Sequence, residues 1–212
     1  MAFPSLKLTY FDMAGRAETV RLALAIGGVP FQDERWTHAQ FAAMKQSLPF
    51  KKLPLLTVDG QVLCQSHAMA RYAATLAGLY PTNNPLEAFS IDEIFDFTED
   101  VLIEYLLPFT ESAMDKRLAK CDELASTKLP DMVAMLDARL ALSTSSGPWF
   151  LDAISLADLS VYSLVVMFKS SFLQRIPSDL CDKFTNVMAI YDAVRRHPNV
   201  VAWYEAHKKE EP

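Results

Sequence analysis

The segment Pro81-Thr82-Asn83-Asn84-Pro85 separates two stretches with different hydrophobic periods. Ahead of it, apolar residues alternate in short runs, interrupted by helical spacing. Beyond it no convincing alternation occurs, and apolar residues recur every three or four positions. The pattern predicts an α/β domain over residues 1–80, a linker over 81–86 and an all-helical domain over 87–212.

In the first part, Leu6, Leu8 and Tyr10 alternate with Lys7 and Thr9, which reads as a short strand. Residues 15–26 show helical spacing, with Ala17, Val20 and Leu24 on one face, and Gly27-Gly28 stops the helix. A second strand is read over 30–35, followed by the capping box Thr37-x-x-Gln40 of a short helix toward Met44. Asp59-Gly60 lies between apolar runs in 55–64 and suits the left-handed positions of a type I′ hairpin turn. Ser66 is a candidate cap for a helix through Met69, Tyr72, Ala73 and Leu76 to Gly78. A parallel strand pair joined by a helix, with an antiparallel hairpin, makes a small α/β domain. In the second part, Ile91, Ile94, Thr98, Val101 and Tyr105 form a long stripe that Pro108 should kink or end. Further helices are read over 129–142, 155–172, 179–196 and 200–208.

Apolar residues make up 51% of the 212, enough for a real core, and 22% are charged. A net charge of −6 argues against non-specific nucleic-acid binding, which needs a basic face. It leaves room for a local basic pocket built from Arg16, Lys45, Lys51 and Lys52. No apolar run approaches the roughly 20 residues of a membrane span, and the first residues lack a signal peptide's pattern. A soluble cytoplasmic protein is the expectation. Cys64, Cys121 and Cys181 are odd in number and far apart, without a Cys-x-x-Cys, which fits free thiols in a reducing compartment. His38, His67, His197 and His207 show no metal-ligand spacing, so no metal is expected.

A polar set runs through the first hundred residues: Tyr10 and Arg16 in Leu8-Thr9-Tyr10-Phe11-Asp12-Met13-Ala14-Gly15-Arg16-Ala17-Glu18, then Leu53-Pro54, then Gln65-Ser66 opening a helix. Taken alone, Tyr10 reads more readily as a core tyrosine at a strand end. Arg16 sits where a cation gains nothing from the helix dipole, which suggests an anionic partner.

With Ser47-Leu48-Pro49-Phe50, Val58-Asp59-Gly60, Ala70-Arg71-Tyr72 and Ile154-Ser155-Leu156-Ala157-Asp158, the whole chain resembles the cytosolic glutathione transferases. It is most similar to their sigma class, which includes glutathione-dependent prostaglandin D synthases. The resemblance implies a thioredoxin-like α/β domain that binds glutathione, followed by an all-helical domain. It makes glutathione a co-substrate and the assembly a homodimer, with Phe50 a possible interface plug.

Under this resemblance Tyr10 is the sulfur activator. A free thiol titrates near ~8.5 and a phenol near ~10, so the phenol keeps a proton to donate to a thiolate. Met13, Ala14 and Gly15 stand where other classes carry a serine or cysteine, which leaves Tyr10 in that role. Arg16 supports it. Leu53-Pro54 would be a cis step presenting the Leu53 backbone to the cysteinyl unit. Gln65 and Ser66 would meet the γ-glutamyl end at a helix N-terminus, and Lys45 and Lys52 would lie near the glycine carboxylate. Asp100 would cross the dimer interface to the α-amino group of glutathione.

Three departures stand out. Phe41 replaces a tryptophan common in the class; it can pack but not donate, so glutathione binding would be weaker or would use Trp36 or Lys51 differently. Lys51 replaces a glycine before the Leu-Pro step and would be strained if that position is left-handed. Leu151 replaces a glycine before the Ser155 motif. The electrophile site is expected between the domains, with Met13, Leu102, Tyr105 and Phe109 as candidates from the apolar stripe and the kink. Two other readings share the fold: isomerisation of a prostaglandin endoperoxide, in which glutathione is recovered, and a non-catalytic, crystallin-like or ligand-carrying protein.

Overall fold

A computed structural model describes residues 2–207. Contacts divide the chain into two units, one made of residues up to Pro85 together with those from His197 onward, the other of Leu86–Arg196.

The first unit holds a four-stranded sheet in the order β2-β1-β3-β4. The strands are β1 (Leu6–Phe11), β2 (Gln32–Trp36), β3 (Leu55–Val58) and β4 (Gln61–Cys64). β1 pairs in parallel with β2 and antiparallel with β3, and β3 pairs antiparallel with β4. The crossover from β1 to β2 is α1 (Glu18–Ile26), preceded by a single 3₁₀ turn at Gly15–Ala17. The hairpin turn follows the sequence: Asp59 and Gly60 have φ of 48° and 85°, both left-handed. The helix α2 (His38–Met44) carries the expected capping box, with Gln40 N–H donating to Thr37 Oγ1 at 3.2 Å and Thr37 N–H to Gln40 Oε1 at 2.7 Å. The helix α3 (Ser66–Leu76) differs from expectation at its start. Gln65, not Ser66, occupies the capping position, and no side chain caps the helix.

Leu8, Leu56, Val20, Leu22, Leu24, Ala73 and Ala74 are essentially inaccessible and form this unit's core. The last helix, α9 (Pro198–Ala206), packs on α1. Trp203 stacks on Phe31 with ring centroids 5.3 Å apart, Asn199 Nδ2 donates to the Ile26 carbonyl at 2.9 Å, and the Tyr204 hydroxyl donates to Glu18. The sequence reading counts this stretch with the helical half; its Lys208 end lies outside the described residues.

The second unit contains α4 (Pro85–Leu106), α5 (Met114–Ser126), α6 (Lys128–Leu140), α7 (Leu156–Lys169) and α8 (Thr185–Arg195). The stripe on α4 is buried as read, and α4 gives way at Leu107 to a 3₁₀ turn that holds Pro108. α7 is buried on nearly every face and forms the unit's centre. α5 escapes the periodicity reading because only Cys121 and Leu124 of its thirteen residues are buried. Residues 179–184, read as helix, are turns, and α8 begins at Thr185, where the Asp137 carboxylate accepts from the N–H groups of Asn186 (2.8 Å) and Val187 (2.9 Å).

The Ser155 motif forms a full capping box at α7. Asp158 Oδ2 accepts from the Ser155 N–H and hydroxyl, each at 2.8 Å, and Oδ1 accepts from Phe150 N–H at 2.8 Å. Burial pushes the Asp158 carboxyl from 3.8 up to about 6, against those hydrogen bonds, which favour the anion. A raised carboxyl pKa means that the folded state holds the proton more tightly than the unfolded one. Its stabilising share is complete below the ordinary pKa and is lost as pH rises through the folded value. Asp158→Asn, which leaves one acceptor oxygen in place of two, should cost about 1–3 kcal/mol. In urea unfolding, the gap to wild type should be widest near pH 4 and narrow toward pH 7; a gap that does not change with pH contradicts this assignment.

Candidate active site

The pairing scheme brings four chain segments to one end of the sheet. Thr9 pairs with Leu55, Leu55 with Cys64 and Phe11 with Trp36. The exit of β1, the exit of β2, the entry to β3 and the exit of β4 therefore share one edge, and every expected polar residue of the first unit lies on a segment that begins there.

Tyr10 is 7% exposed near the end of β1. Its hydroxyl accepts from the backbone N–H of Arg16 at 3.4 Å. The chain reverses to make this contact through Gly15, whose φ is 48°. A Cβ at Gly15 would stand 2.7 Å from the Tyr10 oxygen, so only glycine fits both the turn and the close approach. A hydroxyl that accepts from a backbone amide keeps its own proton for another acceptor, and the amide dipole strengthens that donation. Arg16, half-buried, follows within the same turn.

Phe41 packs edge-on against Phe11 with centroids 5.4 Å apart, and Lys45 Nζ lies 5.7 Å from the Phe41 ring. Phenylalanine supplies packing here and no N–H. Lys45, Lys51 and Lys52 are exposed. The glycine-to-lysine departure falls where the backbone is left-handed: Phe50 and Lys51 have φ of 50° and 53°. The Leu53–Pro54 bond is cis. Gln65, exposed, has φ 80° and ψ 103°, a conformation that costs a non-glycine residue roughly 1–3 kcal/mol. It points the start of α3, with its unpaired N–H groups, toward the same edge.

Sequence reasoning missed Arg21. Its side chain is 1% exposed and donates to Glu18 at 3.2 Å, to both Asp33 oxygens at 3.0 and 3.2 Å, and to the carbonyls of Met13, Ala14 and Phe11. Asp33 also accepts from Arg35, which reaches Asp12, each at 2.8 Å. In the sequence Arg21 looks like one more polar position on an amphipathic helix; only the acids at 18 and 33 hint at burial.

Of the remaining candidates, all but Met13 fall in the second unit. Asp100 is exposed on α4 beside a cavity of about 290 Å³ lined also by Glu93, Asp96 and Arg139. Phe109 is 43% exposed, with Phe172 at 5.1 Å and the Arg117 guanidinium at 5.4 Å. Leu102 is half-buried. Tyr105 is a core residue: it is 1% exposed, its hydroxyl accepts from Leu173 N–H at 3.3 Å and donates to the Met167 carbonyl at 3.4 Å, and burial raises its pKa. A side chain committed in this way has no surface to offer a ligand. Met13, half-buried, stays in the loop after Tyr10. Among the described residues, no group of three or more His, Cys, Asp or Glu is placed to hold a metal ion, and no helix is long and apolar enough to cross a membrane.

Two family models match: glutathione S-transferase, N-terminal domain, over residues 6–75, and glutathione S-transferase, C-terminal domain, over 99–207. The hematopoietic prostaglandin D synthase of Gallus gallus is 33% identical over 207 residues, covering 97% of this chain and 98% of its own. Glutathione S-transferase 1 of Ascaris suum is 32% identical over 214 residues, covering 97% and 98%. The solved structure of prostaglandin synthase D from Nilaparvata lugens superposes with a TM-score of 0.87 at 29% identity, over 98% of this chain and all of the other. With family models over both parts of the chain and similarity along nearly its full length, the chain belongs to the glutathione S-transferase family.

Proposed function

We propose that this protein conjugates glutathione to apolar electrophiles and that Tyr10 is the group that stabilises the thiolate. The observation that carries this reading is the Tyr10 hydroxyl, held by the Arg16 amide and shielded by Gly15 at the edge where the binding segments meet. Glutathione enters as the thiol and loses its proton to solvent. Its sulfur, receiving a hydrogen bond from Tyr10, then bonds to the electrophilic carbon as the leaving group departs. Gln65 and Ser66 take the γ-glutamyl end, the Leu53 backbone takes the cysteinyl unit, and Lys45, Lys51 and Lys52 draw the glycine carboxylate, with Phe41 packing alongside. Arg16 adds positive potential. Asp100 serves the α-amino group across a homodimer interface. Met13, Leu102 and Phe109 are the candidate contacts of the apolar partner. The setting is cytoplasmic detoxification.

A charge-assisted hydrogen bond is worth roughly 1.5–3 kcal/mol. Tyr10→Phe should therefore lower kcat/KM toward an activated aryl chloride at neutral pH by about 10- to 100-fold, while glutathione affinity changes by less than about threefold. A full-rate variant would remove Tyr10 from this role.

The 33% identity to a prostaglandin D synthase favours a second reading, isomerisation of a prostaglandin endoperoxide. In that reaction the thiolate attacks one peroxide oxygen and the O–O bond breaks, the other oxygen taking a proton; the S–O bond then breaks as the carbon bearing that oxygen loses its proton and becomes a carbonyl, so the thiolate is recovered. Following glutathione with each substrate separates the two: consumption with a conjugate marks transfer, and turnover without net consumption marks isomerisation.

A further inference from the structure

Arg21 has the largest side chain among those fully buried. Burying a guanidinium is costly unless its charge and its N–H groups are all met. Glu18 and Asp33 answer the charge, at 3.2 and 3.0 Å. The remaining N–H groups turn to backbone: Nη1 donates to the carbonyls of Met13 (2.6 Å) and Ala14 (3.3 Å), and Nη2 to that of Phe11 (3.3 Å). Those three carbonyls lie in the loop between Tyr10 and Gly15. The same loop must bring the Arg16 amide onto the Tyr10 hydroxyl. The guanidinium carbon is also 5.9 Å from the centre of the Tyr10 ring.

The loop is held from both sides. Asp33, gripped by Arg21, accepts from Arg35, which in turn holds Asp12 of the loop, while Glu18 receives the Tyr204 hydroxyl of α9. A planar fork with five N–H groups can span two carboxylates and three carbonyls at once; an ammonium cannot.

We propose that Arg21 is a positioning residue of the sulfur site, fixing the loop at residues 11–14 so that the Tyr10 hydroxyl and the Arg16 amide stay in register. The proposal rests on the reading that Tyr10 serves the glutathione sulfur. Arg21 touches neither glutathione nor the electrophile. It acts through Tyr10, and its loss releases the loop without removing any group that binds the peptide.

The test is the pH profile of kcat/KM for an activated aryl chloride at saturating glutathione, which reports the thiol in the binary complex. Wild type, Tyr10→Phe and Arg21→Lys are compared. Arg21→Lys keeps the charge and loses the fork. Its profile midpoint should rise by about one pH unit, with the glutathione Kd changed by less than about threefold. A folded Arg21→Lys with the wild-type midpoint, beside a displaced Tyr10→Phe, overturns the proposal alone. If Tyr10→Phe also keeps the wild-type midpoint, the Tyr10 reading falls and this proposal with it. Should Arg21→Lys not fold, Asp33→Asn is read instead, because it retains Arg21 and weakens its hold. A rise in its midpoint supports the proposal, and an unchanged midpoint overturns it.

Discussion

β1 is hydrogen-bonded on both sides, in parallel to β2 and antiparallel to β3, and the rest of the site depends on that double pairing. A parallel partner forces a helical crossover, so the chain leaving Tyr10 must turn at once into α1. An antiparallel partner on the other side brings the entry of β3, with Leu53 and Pro54, back to the same edge. The hairpin then returns β4 and Gln65 to it. Four loops are gathered by strand directions alone. The side chains on those loops set the chemistry.

Electrostatics are divided in the same way. The protein carries a net charge of −6, yet lysines 45, 51 and 52 and Arg16 are concentrated on the loops at this edge. The buried cation, Arg21, is matched by Glu18 and Asp33, so it organises the backbone and adds little field outside. In the proposed reading the exposed lysines attract an anionic peptide through solvent, an effect that salt would weaken. Strained backbone is present at the edge as well. Gln65 and the pair Phe50 and Lys51 are left-handed without being glycine, whereas the strands behind them are regular.

Much of this was legible in the sequence because local rules act on few residues. Alternation marked β1, Asp59-Gly60 marked the hairpin, and both capping boxes formed where the spacing put them. Long-range features were less legible. Arg21 looks exposed by type and is buried because two acids and three carbonyls converge on it in space. Tyr105 reads as a site residue from its stripe, but its ring packs on Phe168 of α7, and its hydroxyl is used up at Met167 and Leu173. α5 buries too little to announce itself, and α9 returns to α1 through contacts nearly two hundred residues apart in sequence. The proposed sulfur role rests on Tyr10, Arg16, Leu53-Pro54 and Gln65-Ser66 taken together, since each alone has an ordinary structural explanation.

The central claim is that the Tyr10 hydroxyl stabilises a thiolate. Its most direct test is the ultraviolet absorbance of that thiolate, followed against pH for glutathione bound to the unmodified protein with no second substrate. The account predicts a bound thiol pKa at least about one unit below the free value near ~8.5. Bound glutathione that titrates at the free value would contradict it.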